Sequence, residues 1–203
     1  NSDVSIPFHT SFRIANAATL MKKLLLASLL VFSNFFLPTG ASAETFTFSG
    51  GRFWCTEADF EKLDGVSDVI SGFTGGTTPN PRYVSGEWGD HREAAQVIYD
   101  PAKLSFADLV RHVYATVDYE DAGGQFCDRG RSYSPAIYFK TDAERDVATR
   151  LAPPRSIIPI EAEGAYYPVR EEHQDFYKKN AIKYKFYRFR CGRDARIDEL
   201  KNG

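Results

Sequence analysis

Cys55 is the side chain whose neighbours best equip it for chemistry. It lies in Gly50-Gly51-Arg52-Phe53-Trp54-Cys55-Thr56-Glu57, where a glycine turn runs into the start of a helix. Backbone N–H groups at a helix start are unpaired and partly positive, which lowers a thiol's pKa and favours the reactive thiolate. Phe53 and Trp54 are the residue types that wall an apolar pocket. Arg52 has the opposite character, because a guanidinium stays protonated and its nitrogens are poor nucleophiles. Cys55 follows Arg52 by three positions, so on a helix both face roughly one side. An inert, buried thiol is the alternative reading of Cys55. The other two cysteines, Cys127 and Cys191, are distant in sequence. No close pair of the kind metal sites use is present, so no metal is expected. An odd cysteine count leaves at least one thiol free or intermolecular, and a Cys127–Cys191 disulfide stays open.

The elements that must position this stretch follow from pattern and turn chemistry. Residues 45–48 alternate as a strand with both Phe on one face, and 57–63 read as the first helix, with Gly65 as its stop. Strands are expected at 66–73 and 93–99, separated by a loop rich in Gly, Pro and Asn. Ser105 and Asp108 resemble a capping box ahead of a helix carrying Phe106, Leu109, Val110, Val113 and Tyr114 at helical spacing. His112 on that helix reads as an ordinary, partly buried histidine. A long polar loop at 118–133 precedes a strand at 135–140, a helix at 142–151, a strand at 157–163 and a short helix at 171–179. The order β-α-β-β-α-β predicts an α+β fold, a two-layer split βαβ (ferredoxin-like) sandwich with a mostly antiparallel sheet and long functional loops.

Length and composition add the setting. Met21, the only methionine among 203 residues, opens Met21-Lys22-Lys23, an apolar run over 24–37 and the small triplet Ala41-Ser42-Ala43. A charged start, an apolar run short of the ~20 residues a span needs and a small-residue site describe a signal peptide over 21–43. Residues 1–20 read as leader sequence, and 44–203 as one domain beginning at Glu44. The expected location is therefore exported, periplasmic or secreted. A net charge of −2 without a basic block beyond the leader argues against nucleic acid. No membrane contact is expected once the signal peptide is removed.

The stretch from Gly50 to Trp54 resembles the Gly-Cys-Phe-Trp signature of the A-type peptide methionine sulfoxide reductases, with Arg52 where that family has its nucleophilic cysteine. Further along, Asn80-Pro81-Arg82-Tyr83 is similar to the family's Asn-Pro-x-Tyr loop. Gly89-Asp90-His91-Arg92-Glu93 is similar to its Gly-His-x-Glu segment with one residue shifted. Gly124-Gln125-Phe126-Cys127-Asp128-Arg129-Gly130 with Tyr133 is similar to Gln-x-x-Asp-x-Gly-x-x-Tyr, and Glu172-His173-Gln174-Asp175-Phe176-Tyr177 to a late His-Gln-Asp-Tyr motif.

The resemblance implies roles. Phe53 and Trp54 would hold the substrate's methyl group. Glu93 would protonate the departing oxygen, and Tyr83, Asp128 and Tyr133 would complete the site. Cys55 becomes the candidate replacement nucleophile, with Cys191 and Cys127 as recycling candidates. The implied activity is thiol-dependent reduction of the S epimer of methionine sulfoxide, free or in proteins, through a sulfenic acid, with a thioredoxin-like reductant. The expected protein is a monomer without a cofactor, weak or inactive with Arg52. Two alternatives remain beside it: an inactive methionine-sulfoxide-binding protein, and a thiol–disulfide partner acting through the remaining cysteines.

Overall fold

Phe46 and Phe48 turn one face of strand β1 (Glu44–Ser49) into core, and the rest of the sheet is assembled around that face. The computed structural model describes residues 42–84 and 88–202. The expected leader and residues 21–41 of the expected signal peptide lie outside the described residues. After β1 come α1 (Phe53–Phe60), β2 (Val66–Thr74), β3 (Arg92–Tyr99) and α2 (Phe106–Thr116). A small hairpin of β4 (Gly124–Gln125) and β5 (Asp128–Arg129) and a 3-10 turn at Arg131–Tyr133 lead to β6 (Ala136–Phe139). Helix α3 (Asp142–Leu151), β7 (Ile160–Ala162), β8 (Tyr167–Pro168) and a 3-10 turn at Glu171–His173 follow. Three helices close the chain: α4 (Phe176–Lys179), α5 (Ala181–Arg190) and α6 (Arg193–Asn202).

The six-stranded sheet has the order β7-β6-β1-β3-β2-β8. β3 lies between β1 and β2 and runs antiparallel to both, which is the split βαβ arrangement that the sequence predicts. Among the described strands, only the β6–β7 pair is parallel. Phe46, Phe48, Val69, Ala95, Val97 and Ile137 from the sheet pack against Phe60 of α1, Leu109, Val110 and Val113 of α2 and Ala148 of α3. Fully burying side chains of this size contributes roughly 1.5–3 kcal/mol each. Ser105 caps α2 with the reciprocal Ser–Asp108 bonds that its sequence announces. The other sheet face is closed by the chain after β7. Gln174 bonds both the N–H and the C=O of Ser71, at 2.8 and 2.9 Å, and the Tyr166 hydroxyl reaches the Ala94 carbonyl at 3.1 Å.

Several elements differ from the sequence reading: the expected loop at 118–133 holds the β4–β5 hairpin, β7 is shorter than expected, and β8 is an added strand. α1 begins at Phe53, four residues before the expected start, and ends at Phe60. Every residue from Cys55 to Phe60 is buried, so this helix has no polar stripe from which a 3.6-residue period could be read. The expected helix at 171–179 is broken by Asp175, whose φ of +53° separates the 3-10 turn from α4. The tail after 180, to which the sequence reading assigns no element, forms α5 and α6.

Candidate active site

The turn between β1 and α1 meets the sheet at Glu93 of β3, which pairs with Phe73 near the end of β2. Gly51 makes that turn possible: its φ is +88°, and a Cβ there would stand 2.6 Å from Cβ of Gln125. Arg193, at the start of α6, supports the turn from below. Its guanidinium donates to the carbonyls of Gly50, at 3.2 Å, and Thr116, at 2.8 Å, and pairs with Asp59 at 3.4 Å while being 2% exposed.

Glu93 has the β-strand parity of Ala95, Val97 and Tyr99, so it points towards α1 and is 1% exposed. One of its oxygens accepts the Phe53 N–H at 3.0 Å. The other accepts from Nη1 of Arg52 at 3.1 Å. The same Nη1 donates to the Tyr83 hydroxyl at 2.7 Å, and Nη2 donates to Asp128 Oδ1 at 3.0 Å. The guanidinium carbon lies 4.6 Å from the ring centre of Tyr133 and 5.2 Å from that of Trp54. Arg52, Phe53, Trp54, Tyr83, Glu93, Asp128 and Tyr133, scattered through the sequence, thus converge on one point. That point is occupied by the guanidinium itself.

Electrostatics follow from this packing. Burial pushes the Glu93 carboxyl up to about 7 against the lowering pull of Arg52 and the Phe53 N–H. Burial works against the Arg52 charge, but Glu93 and Asp128 outweigh it and hold the guanidinium protonated more firmly than usual. The Tyr133 hydroxyl is raised to about 12, first by burial and then by Glu93.

Cys55 is not part of this group, which corrects the expectation of an activated thiol. Its side chain turns away from Arg52 into an apolar cluster with Ala58, Phe176 and Tyr184 and is 2% exposed. Burial raises its pKa, and the nearby Arg193 and Arg188 cations do not reverse that. At the helix start the Phe53 N–H is taken by Glu93 and the Cys55 N–H by the Arg52 carbonyl, each at 3.0 Å. Cys127 and Cys191 are joined in a disulfide, with Cys127 exposed, next to Asp128.

The structure also adds residues that the sequence reading left without a role in the site. The Tyr187 hydroxyl of α5 donates to Asp128 Oδ2. Phe176 stacks on Trp54 with ring centres 3.7 Å apart. His173, which stands in the late motif without a role, lays its ring 4.0 Å from that of Tyr83. Tyr187 belongs to the tail and Phe176 to the expected helix at 171–179, and spacing alone gives no hint of their contact with residue 54 or 128. Among the described residues, Glu57, Glu61 and Asp175 form a further carboxylate group. Lys178 Nζ lies 2.5 Å from Glu61 and 2.7 Å from Asp175, pairing two of these three carboxylates.

Comparison with known proteins agrees with this architecture. The family model described as peptide methionine sulfoxide reductase matches residues 44–202. The peptide methionine sulfoxide reductase MsrA 2 of Rhizobium meliloti is 38% identical over 184 residues, covering 87% of this chain and 93% of that protein. The protein of the same name from Caulobacter vibrioides is 43% identical over 173 residues, covering 79% and 86%. The solved methionine sulfoxide reductase A of Corynebacterium diphtheriae superposes with a TM-score of 0.62 at 29% identity, over 74% of this chain and 80% of that one. With the family model spanning the whole described domain, and the sheet, turn and converging polar side chains in place, this chain belongs to the A-type peptide methionine sulfoxide reductase family.

Proposed function

We propose that this chain is an exported member of the family whose reaction site is held shut by Arg52, so that as it stands it has no detectable turnover of methionine sulfoxide. One observation carries the reading: the Arg52 guanidinium takes up Tyr83, Glu93 and Asp128 together, at 2.7, 3.1 and 3.0 Å. Those are the groups that a sulfoxide oxygen would need. No thiol is available beside them, since Cys55 is buried in another cluster and Cys127 and Cys191 are bonded to each other.

The frame around Arg52 remains suited to the family's chemistry. With a thiol at position 52, the sulfur would sit at the mouth of α1 against Phe53 and Trp54. Its attack on the sulfoxide sulfur forms an S–S(substrate) bond as the S–O bond weakens. Glu93, whose carboxyl burial raises to about 7, supplies the proton that the leaving oxygen needs, and Tyr83 and Tyr133 donate to that oxygen. Water then completes the exchange to methionine and a cysteine sulfenic acid, which a thioredoxin-like dithiol reduces. The proposed substrate is the S epimer of methionine sulfoxide, free or in oxidised proteins, and the proposed working form is a monomer released from a signal peptide ending at Ala43.

Turnover of methionine sulfoxide with dithiothreitol, measured for the chain and for Arg52→Cys, tests this. Background rate from the chain and clear turnover from the variant are expected. Turnover by the unaltered chain would overturn the closed-site reading. A second reading, thiol–disulfide exchange, draws on the exposure of Cys127 in the Cys127–Cys191 bond beside the site. Trapping of a mixed disulfide with a dithiol protein whose resolving cysteine is replaced would support it.

A further inference from the structure

Helix α5 carries an apolar stripe that nothing in the described domain covers. Ile182 is 87% exposed, Phe186 66% and Phe189 82%. At about 100° per residue, positions 182, 186 and 189 fall within an arc of roughly 60°. The opposite side of the helix is the one packed inward, through Tyr184 at 8% exposure and Tyr187 against Trp54. Lys183 and Arg190 flank the stripe on one side and Lys185 on the other. Among the described residues, none of these three cations has an ion-pair partner. Lys183 lies over the Phe176 ring and Arg190 over the Phe186 ring, at 5.6 and 6.0 Å. The run from 176 to 193 contains no Asp or Glu at all.

We propose that this face of α5 docks on an anionic lipid surface, with Ile182, Phe186 and Phe189 entering the acyl boundary and Lys183, Lys185 and Arg190 meeting the headgroup charges. The surface is convex and its apolar stripe is narrow, with long aliphatic stems carrying charge on both sides. A bilayer interface accepts that shape without a matching groove, and the cations reach outward to the phosphates. A second copy of this chain would set unpaired cations against unpaired cations, which opposes self-association through this face. Charge complementarity therefore selects an acidic surface, and the exposed Phe pair selects one with an apolar interior. This departs from the sequence expectation of no membrane contact. The exposure of 182, 186 and 189 depends on which side of α5 packs on Trp54, and sequence pattern does not state that. No described helix is long and apolar enough to cross a membrane, so the contact is interfacial.

The test uses the full chain carrying Ile182→Cys, labelled there with an environment-sensitive nitrobenzoxadiazole dye while Cys55 is buried and Cys127–Cys191 stays oxidised. Vesicles of two parts phosphatidylcholine to one part phosphatidylglycerol should raise and blue-shift the emission; pure phosphatidylcholine vesicles should leave it nearly unchanged. Adding Phe186→Ser with Phe189→Ser, or Lys183→Glu with Lys185→Glu, should weaken the apparent affinity by roughly tenfold or more. The apolar run over 24–37 can bring the chain to vesicles, but it is common to all these proteins and does not depend on α5. Dye that stays in water with anionic vesicles overturns the proposal, as does a response that both pairs of substitutions leave intact. Light scattering that shows a dimer dependent on Phe186, or an equal response to an acidic polypeptide without lipid, also overturns it.

Discussion

Nη1 of Arg52 stands 3.1 Å from Oε1 of Glu93, a carboxyl only 1% exposed whose other oxygen is held by the Phe53 N–H. The pair makes residue 52 a structural part of the site as well as its occupant. Removing one member of such a pair leaves the other buried and uncompensated, which costs up to about 3–5 kcal/mol when the orphan must stay charged. Glu93 has an exit, since it can take a proton.

Arg52→Cys is expected to produce thiol-dependent reduction of methionine sulfoxide, and Arg52→Ala is not, although both vacate the same space. Without the guanidinium, which lowers it, the Glu93 pKa should rise beyond about 7. The activity of Arg52→Cys should therefore fall as pH rises through that value. Adding Glu93→Gln should reduce kcat roughly 10²–10⁴-fold. A pH profile of kcat/KM on the single and double variants checks all three statements.

Folding stability should also depend on pH in a defined window. Glu93 and Glu57 both sit at about 7 in the folded chain against an ordinary value of 4.5, each chiefly through burial. Carboxyls raised in this way bind protons more tightly folded than unfolded. Their contribution is complete below about pH 4.5 and is lost as pH rises to about 7. Urea midpoints should therefore decline across that interval and level off above it. Glu57→Gln should flatten part of the slope, because Glu57 Oε2 is buried without a hydrogen-bond partner. A midpoint that climbs from pH 4.5 to 7 would contradict this account.

Cys55 should behave as an inert core thiol. In the native chain no thiol should react with a disulfide reagent, and in denaturant one should. Cys55→Ser places a hydroxyl in the Ala58–Phe176–Tyr184 cluster and should cost about 1–3 kcal/mol while leaving the activity of Arg52→Cys in place. Loss of that activity in Arg52→Cys with Cys55→Ser, in a folded protein, would return Cys55 to the chemistry.

Arg193→Met should destabilise the chain by roughly 1–3 kcal/mol, since it takes a donor from the buried Gly50 carbonyl, while Asp59 keeps Arg188 at 2.9 Å. The same variant built on Arg52→Cys should lower kcat with little change in KM, because the Gly50–Gly51 turn aims position 52. Equal stability of Arg193→Met and the parent in urea would show that the buried guanidinium is dispensable.

By itself the sequence determined the elements whose residues report their own environment. Phe46 and Phe48 alternate because β1 has one face on the helices. Ser105 and Asp108 announce the α2 start because a capping box is made within four residues. Asp142–Leu151 is a helix at the very bounds that its pattern predicts. The family resemblance also grouped Phe53, Trp54, Tyr83, Glu93, Asp128 and Tyr133 as candidates, and the structure brings them together around residue 52. Only the tertiary structure decided what those residues do with Arg52. Whether a cation at a helix start lies in solvent or threads between Glu93 and Asp128 depends on the positions of β3 and the β4–β5 hairpin, about which the neighbours of residue 52 carry no information. The same holds for Cys55. Its local setting favours a thiolate, but Phe176 and Tyr184, more than a hundred residues on, bury it, and desolvation outweighs the local field. It holds again for α5, whose aromatic residues lie on several sides of the helix. Docking of Tyr184 and Tyr187 against the first helix, a contact between opposite ends of the chain, is what leaves Ile182, Phe186 and Phe189 facing outward.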